Sequence, residues 1–259
     1  MKAIILSAGQ GKRLLPHTAT RPKCLMPLSG RSVLEWQLES LASAGVTEVV
    51  VVTGFGADQV DAVLATRDFP GLSVRTLYNP FYSVADNLGS CWIARKEMVG
   101  AFAILNGDTL FDGDVAQHVL LHPTSFPITV TVNRKPTYDS DDMKVATEGD
   151  KLVAIGKTLD ADVTDGESIG FLRFTEEGGR IFVAEVEKAM ATTEGLRRWY
   201  LSAIDQIAKA QNCVGIRSIQ GLDWCELDFP ADYDAMQNMV RGWLQRDELG
   251  SASASKAAG

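Results

Sequence analysis

No two cysteines in this chain form a C-x-x-C pair. Cys24, Cys91, Cys213 and Cys225 are scattered, so neither a zinc site nor a disulfide framework is expected and the thiols read as reduced. No apolar run approaches the ~20 residues that cross a bilayer, and no membrane span is expected. Positive charge is in deficit: 25 Lys and Arg against 33 Asp and Glu leave a net charge of −8. That balance opposes nucleic-acid binding, which rests on clustered cations. Met1-Lys2 runs straight into an apolar strand without room for a cleavable leader, so a cytoplasmic protein is expected. No hexapeptide repeat is visible, and no β-helical extension is expected. What remains, 259 residues with 46% hydrophobic and 22% charged content, is an ordinary globular chain with a large core.

The most informative stretch is at the start. Lys2 to Leu6 reads as a buried strand, and after Ala8 the chain passes through Gly9-Gln10-Gly11-Lys12-Arg13. Glycines let backbone N–H groups approach a polyanion together, which makes a phosphate cradle. Arg13 and Lys23 add a planar multi-donor cation and a compact point charge, both suited to phosphoryl oxygens. Two common glycine loops fail here. A G-x-x-x-x-G-K-[ST] loop needs Ser or Thr where Arg13 stands. A G-x-G-x-x-G fingerprint needs glycine where Leu14 stands, and an acidic residue closing the second strand where Gly54-Phe55-Gly56 follows.

Downstream, Ser32 to Ala44 has the 3.6-residue period of an amphipathic helix, capped by Ser32 and stopped by Gly45. Strands at 48–53, 73–78 and 101–105 alternate with helices at 57–65 and from about Asp86. That rhythm predicts an α/β fold: a doubly wound, mostly parallel sheet with ligands at the carboxyl ends of its strands. From Phe126 four short strands separated by polar turns predict a small antiparallel lid, followed by helices at 180–191 and 198–210, a strand at 214–219 and a helix at 231–244. One domain over 1–249 is expected, with a nucleotide-binding part to about 125 and an acceptor-binding part after it. Low-complexity residues 250–259 read as a disordered tail.

The pattern L-x-A-G-x-G-x-R-L-x-P over Leu6–Pro16, continued by Thr18, Thr20 and Pro22-Lys23, resembles the signature of the nucleotidyltransferases that activate sugar phosphates and phospho-alcohols. The segment Asp86-Asn-Leu-Gly-Ser90 looks closer to their bacterial choline-phosphate cytidylyltransferase branch. The resemblance implies a Rossmann-like fold of the nucleotide-diphospho-sugar transferase type. It also implies Mg²⁺ as cofactor and transfer of a nucleotidyl group, CTP being favoured, to a small phosphorylated or phosphonate acceptor. Residues Leu6, Ala8, Gly9, Gln10, Gly11, Lys12, Arg13 and Lys23 then hold the triphosphate, and Asp86, Asn87 and Ser90 address the base and ribose. Asn106-Gly107-Asp108 and Glu226-Leu227-Asp228 match the family's metal segments, with Asp108 and Asp228 the expected ligands and Glu226 second to Asp228. Asp108 also suits the ion by chemistry, since Mg²⁺ takes one or two carboxylates plus substrate phosphates.

On the acceptor side the family's Glu-Lys-Pro segment is reduced to Lys157, with Lys144 as its rival for the acceptor phosphate. Tyr138, Trp199, Tyr200 and Trp224 with Asp139, Asp141 and Asp142 could enclose a cationic head group, while Glu167 keeps a sugar acceptor open. Catalysis is assigned to Arg13, Lys23 and Lys157. A sugar-1-phosphate nucleotidyltransferase using UTP, dTTP or GTP and a non-catalytic nucleotide-binding regulator are the alternatives, and a homo-oligomer is compatible with the chain.

Overall fold

A computed structural model describes residues 1–257. In chain order the strands are β1 (Lys2–Ser7), β2 (Pro27–Leu28), β3 (Arg31–Ser32), β4 (Glu48–Thr53), β5 (Ser73–Tyr78), β6 (Phe102–Asn106), β7 (Thr109–Phe111), β8 (Ile128–Asn133), β9 (Lys144–Glu148), β10 (Lys151–Gly156), β11 (Gly166–Phe174), β12 (Val214–Ser218) and β13 (Trp224–Glu226). The helices are α1 (Val33–Ser43), α2 (Ala57–Thr66), α3 (Asn87–Ala94), α4 (Gly113–Leu121), α5 (Glu176–Met190), α6 (Leu201–Ala210) and α7 (Pro230–Ala257).

Nine strands form one sheet in the order β5-β4-β1-β6-β11-β8-β12-β10-β9. Its first four strands are parallel. The chain leaves β1 toward β4 on one side and later returns to β6 on the other. A crevice therefore opens at the carboxyl ends of β1 and β6, where α/β sheets bind ligands. The antiparallel strands foreseen after residue 126 continue this sheet rather than lying over it, because β11 pairs with β6 and β8 at once. Strand β12 then runs parallel to β8.

Successive residues of β1 point to opposite faces, as the two-residue strand period requires. Ala3 and Ile5 join a core with Leu34, Leu38, Val60 and Val115 from α1, α2 and α4. Ile4 and Leu6 join another with Leu88, Phe182 and Ile204 from α3, α5 and α6. The sheet is thus covered on both sides. Ser32 and Glu35 close α1 with a reciprocal capping box. Helix α7 packs Met236, Val240 and Trp243 on Trp36 of α1 and on Leu14, Leu110 and Leu227. The backbone of residues 250–257, where composition suggested a disordered tail, continues α7, and its alanines favour that conformation. Residues 258 and 259 of the expected tail lie outside the described residues.

Candidate active site

The turn after β1 is built for close approach by a ligand. Gly11 has φ +77°, a left-handed conformation that favours glycine, and its carbonyl accepts a 2.7 Å bond from Thr18 Oγ1. Nothing lies within 4 Å of where a Gly9 side chain would begin. Among the described residues, no partner is assigned to the backbone N–H groups of Gly9, Gln10 and Gly11. Three free donors on a glycine turn beside a strand end are available to an anion.

Facing this turn is a two-stranded ribbon that brings distant carboxylates together. Strand β13 pairs antiparallel with β7, Glu226 opposite Thr109, and the Leu227 N–H donates to the Asp108 carbonyl at 3.0 Å. Asp108 and Asp228 thereby flank one end of the ribbon. The Lys23 ammonium donates to Asp108 Oδ2 at 2.7 Å and to Asp228 Oδ1 at 2.6 Å. Burial disfavours the charge on Lys23, but the two carboxylates outweigh it and raise its pKa. Burial, and after it the neighbouring Asp108 and Asp228 carboxylates, push the carboxyl of Glu226 up to about 8.

These groups line a cavity of about 750 Å³ at the carboxyl ends of β1 and β6. Leu6, Ala8 and the turn from Gly9 to Arg13 form one wall, with Asp86, Asn87 and Ser90 beyond them. Lys157 and Trp199 also line it. Asp141 bridges two of the lining cations, 3.2 Å from an Arg13 nitrogen and 3.5 Å from Lys157 Nζ. Arg13 also reaches Asp228 at 3.0 Å and lies over the Phe229 ring.

The donor set fits a hard divalent cation. Two carboxylates converge where a lysine ammonium now sits between them, and Asp108 Oδ1 is buried without a partner among the described residues. No group of three or more His, Cys, Asp or Glu arranged for a metal occurs among the described residues. Asp108 and Asp228 alone are the kind of incomplete oxygen site that Mg²⁺ completes with water and substrate phosphates.

Residues 3–149 match the family described as the MobA-like NTP transferase domain. The chain belongs to that family. It is 25% identical over 260 residues to the CTP:phosphoglutamine cytidylyltransferase of Campylobacter jejuni, covering 90% of this chain and 98% of that one. It is 22% identical over 244 residues to the choline-phosphate cytidylyltransferase of Streptococcus pneumoniae, covering 93% and 99%. Among solved structures, the inositol-1-phosphate CTP transferase from T. maritima shares the fold with a TM-score of 0.75 at 21% identity, over 91% of this chain and 94% of that one.

Not every residue expected on the wall of this nucleotidyltransferase stands there. Tyr200 is a correction: it is fully buried against Phe182, and its backbone N–H donates to Asn87 Oδ1 at 2.8 Å. It is packing, and that bond also commits the Asn87 oxygen. Lys144 is buried too, and its ammonium donates to the Lys157 carbonyl at 2.8 Å, so it reaches the site only through its neighbour. Glu167 is held under the loop after β8 by Lys135 at 2.7 Å and by Asn133 at 3.2 Å, away from the cavity. Trp224 packs at the margin of the α1 and α4 core. Of the expected aromatic enclosure only Trp199 lines the cavity, and the Lys157 ammonium covers it 4.7 Å from the ring centre. Ser90 accepts a bond from Asn79 at 3.1 Å and is nearly buried. Asp86 precedes α3 without capping it by its side chain. No helix among the described residues is long and apolar enough to cross a membrane.

Proposed function

We propose that this nucleotidyltransferase moves CMP from CTP to a small phosphorylated or phosphonate acceptor and releases pyrophosphate, with Mg²⁺ as its metal. Cytidylyltransferases among its relatives, at about 25% identity over nearly the whole chain, support CTP and a phospho-acceptor. The observation that carries the reading is the convergence of Asp108 and Asp228 on Lys23 beside the glycine turn.

In such a transfer an acceptor oxygen attacks the α-phosphorus in line, and the protein's work is to hold two mutually repelling anions in register. The N–H groups of Gly9 to Gly11 cradle the triphosphate, Arg13 lies toward the departing pyrophosphate, and Lys23 serves the α-phosphate. Lys157 takes the acceptor phosphate. Asp108 and Asp228 are the residues that would hold Mg²⁺, which would neutralise charge on the phosphates. For the acceptor's other end, Asp141 and the Trp199 face suit a cationic or polar substituent once Lys157, which covers both in the ligand-free protein, has turned to the acceptor phosphate.

The test is a panel of CTP, UTP, dTTP and GTP against phosphocholine, phosphoethanolamine, aminoethylphosphonate and glucose 1-phosphate, following pyrophosphate release. Turnover with CTP and one of the first three acceptors is expected. Turnover with a sugar phosphate alone would replace the reading by a sugar-1-phosphate nucleotidyltransferase. Nucleotide binding with no turnover on any acceptor would make the chain a regulator.

A further inference from the structure

Helix α1 presents Val33, Leu34, Trp36, Leu38 and Leu41 to the core, yet among them stands Gln37, fully buried. Its Nε2 donates to the Asn106 carbonyl at 2.8 Å and to the Thr109 carbonyl at 2.7 Å. Those carbonyls bracket Gly107 and Asp108, the two residues that turn the chain from β6 into β7. Gln37 Oε1 has no partner among the described residues. A leucine or methionine here would bury a similar volume but take this donor from both carbonyls, so the amide is there for the turn and not for its bulk.

We infer that Gln37 is a positioning residue for the metal carboxylate, clamping both flanks of Asp108 from the helix behind it; this rests on the reading that Asp108 and Asp228 hold a divalent ion. The chemistry calls for a neutral side chain, since an ammonium or guanidinium in this fully buried place would carry an unpaired charge. Two carbonyls facing one side chain need two N–H groups on one nitrogen, which a carboxylate lacks and a hydroxyl cannot supply. The turn has little other freedom. Gly107 donates to the Leu6 carbonyl at 3.0 Å, a Cβ on Gly107 would lie 2.1 Å from Ser7 Oγ, and the Asp108 carbonyl is taken by Leu227. Gln37 supplies the remaining restraint, on one of the two residues whose placement a metal of strict octahedral geometry makes critical.

The test is Mn²⁺ binding to the intact protein, read by electron paramagnetic resonance, in wild type, Gln37→Met, Gln37→Asn and Asp108→Asn, with thermal melts alongside. Gln37→Met keeps the volume and loses both donors. Gln37→Asn keeps the donors one methylene short of the two carbonyls. Each is expected to weaken Mn²⁺ binding about tenfold, the low end for groups that orient a metal ligand without touching the ion, and to raise the metal concentration for half-maximal turnover more than it lowers kcat at saturation. Folded Gln37→Met with wild-type Mn²⁺ affinity overturns the inference. If Gln37→Met does not fold, unchanged affinity in Gln37→Asn overturns it and weakened affinity supports it. Wild-type affinity in Asp108→Asn would sink the metal reading itself, which is a different failure.

Discussion

Lys23 is the cation that Asp108 and Asp228 share, so replacing it by methionine should expose the electrostatics of the ligand-free site. The Lys23 side chain is 13% exposed, and those of Asp108 and Asp228 are 23% and 20% exposed. Removing one partner from a buried ion pair costs about 3–5 kcal/mol. Two carboxylates whose oxygens lay 2.7 and 2.6 Å from one ammonium repel, at an effective dielectric of about 20, by roughly 3 kcal/mol. Partial exposure, and the 3.0 Å contact that Arg13 keeps with Asp228, favour the lower end. A loss of about 3 kcal/mol in a chain of this size lowers Tm by about 6–12 °C. The assay is thermal unfolding of wild type and Lys23→Met in chelator and in millimolar Mg²⁺. In chelator the variant should melt lower by that interval. In Mg²⁺ most of the gap should close, because a dication neutralises both acids and no longer displaces an ammonium. Equal melting in chelator, or a deficit that Mg²⁺ leaves untouched, would refute the claim that this lysine holds the place of a metal.

Asp108→Ala should leave the fold intact and cut pyrophosphate release about a hundredfold or more, as loss of a preorganised electrostatic group does; near-normal turnover would remove Asp108 from the site. Trp199→Ala should raise KM for the acceptor several-fold, since a cation on an aromatic face contributes about 0.5–2 kcal/mol, and KM for the triphosphate should stay as it was. Glu35 is partly buried, which works against ionisation, but bonds from Ser32 and from Arg67 at 2.6 Å hold its pKa below the usual carboxylate value. A lowered folded-state pKa gives stability that is present above the ordinary value of about 4.3 and is lost as pH falls through the folded value. Glu35→Gln should therefore lose less Tm than wild type between about pH 5 and pH 3, and parallel profiles would show that the cap is not a titrating element.

The glycine turn, the capped helix after it and the parallel half of the sheet could be read in the chain because each is local. A strand end followed by Gly9 and Gly11, or Ser32 three residues before Glu35, carries its physics within one turn of backbone. The acceptor side was less legible. Lys144, Lys157, Glu167, Trp199 and Tyr200 lie on strands and turns whose alternation tells which side chains are buried but not which of the two faces meets the cavity. Hence the aromatic enclosure reduces to Trp199, while Tyr200, one residue on, packs on Phe182.

The convergence of the two acids shows why pairing is harder to read than motif. Asp108 and Asp228 could each be matched to a metal segment, but what joins them is β7 against β13, three residues on each side and too short for a periodic signal. The ribbon is held from the side that sequence reasoning treated as plain core. Gln37 grips β7 at its start, Ser40 Oγ donates to the Phe111 carbonyl at its end, and Leu110 and Leu227 pack on α7. An amphipathic helix read only for its apolar stripe thus hides two buried polar residues that reach the ribbon. Where a buried helical face carries glutamine and serine, what they reach is a better guide to the working turn than the stripe itself.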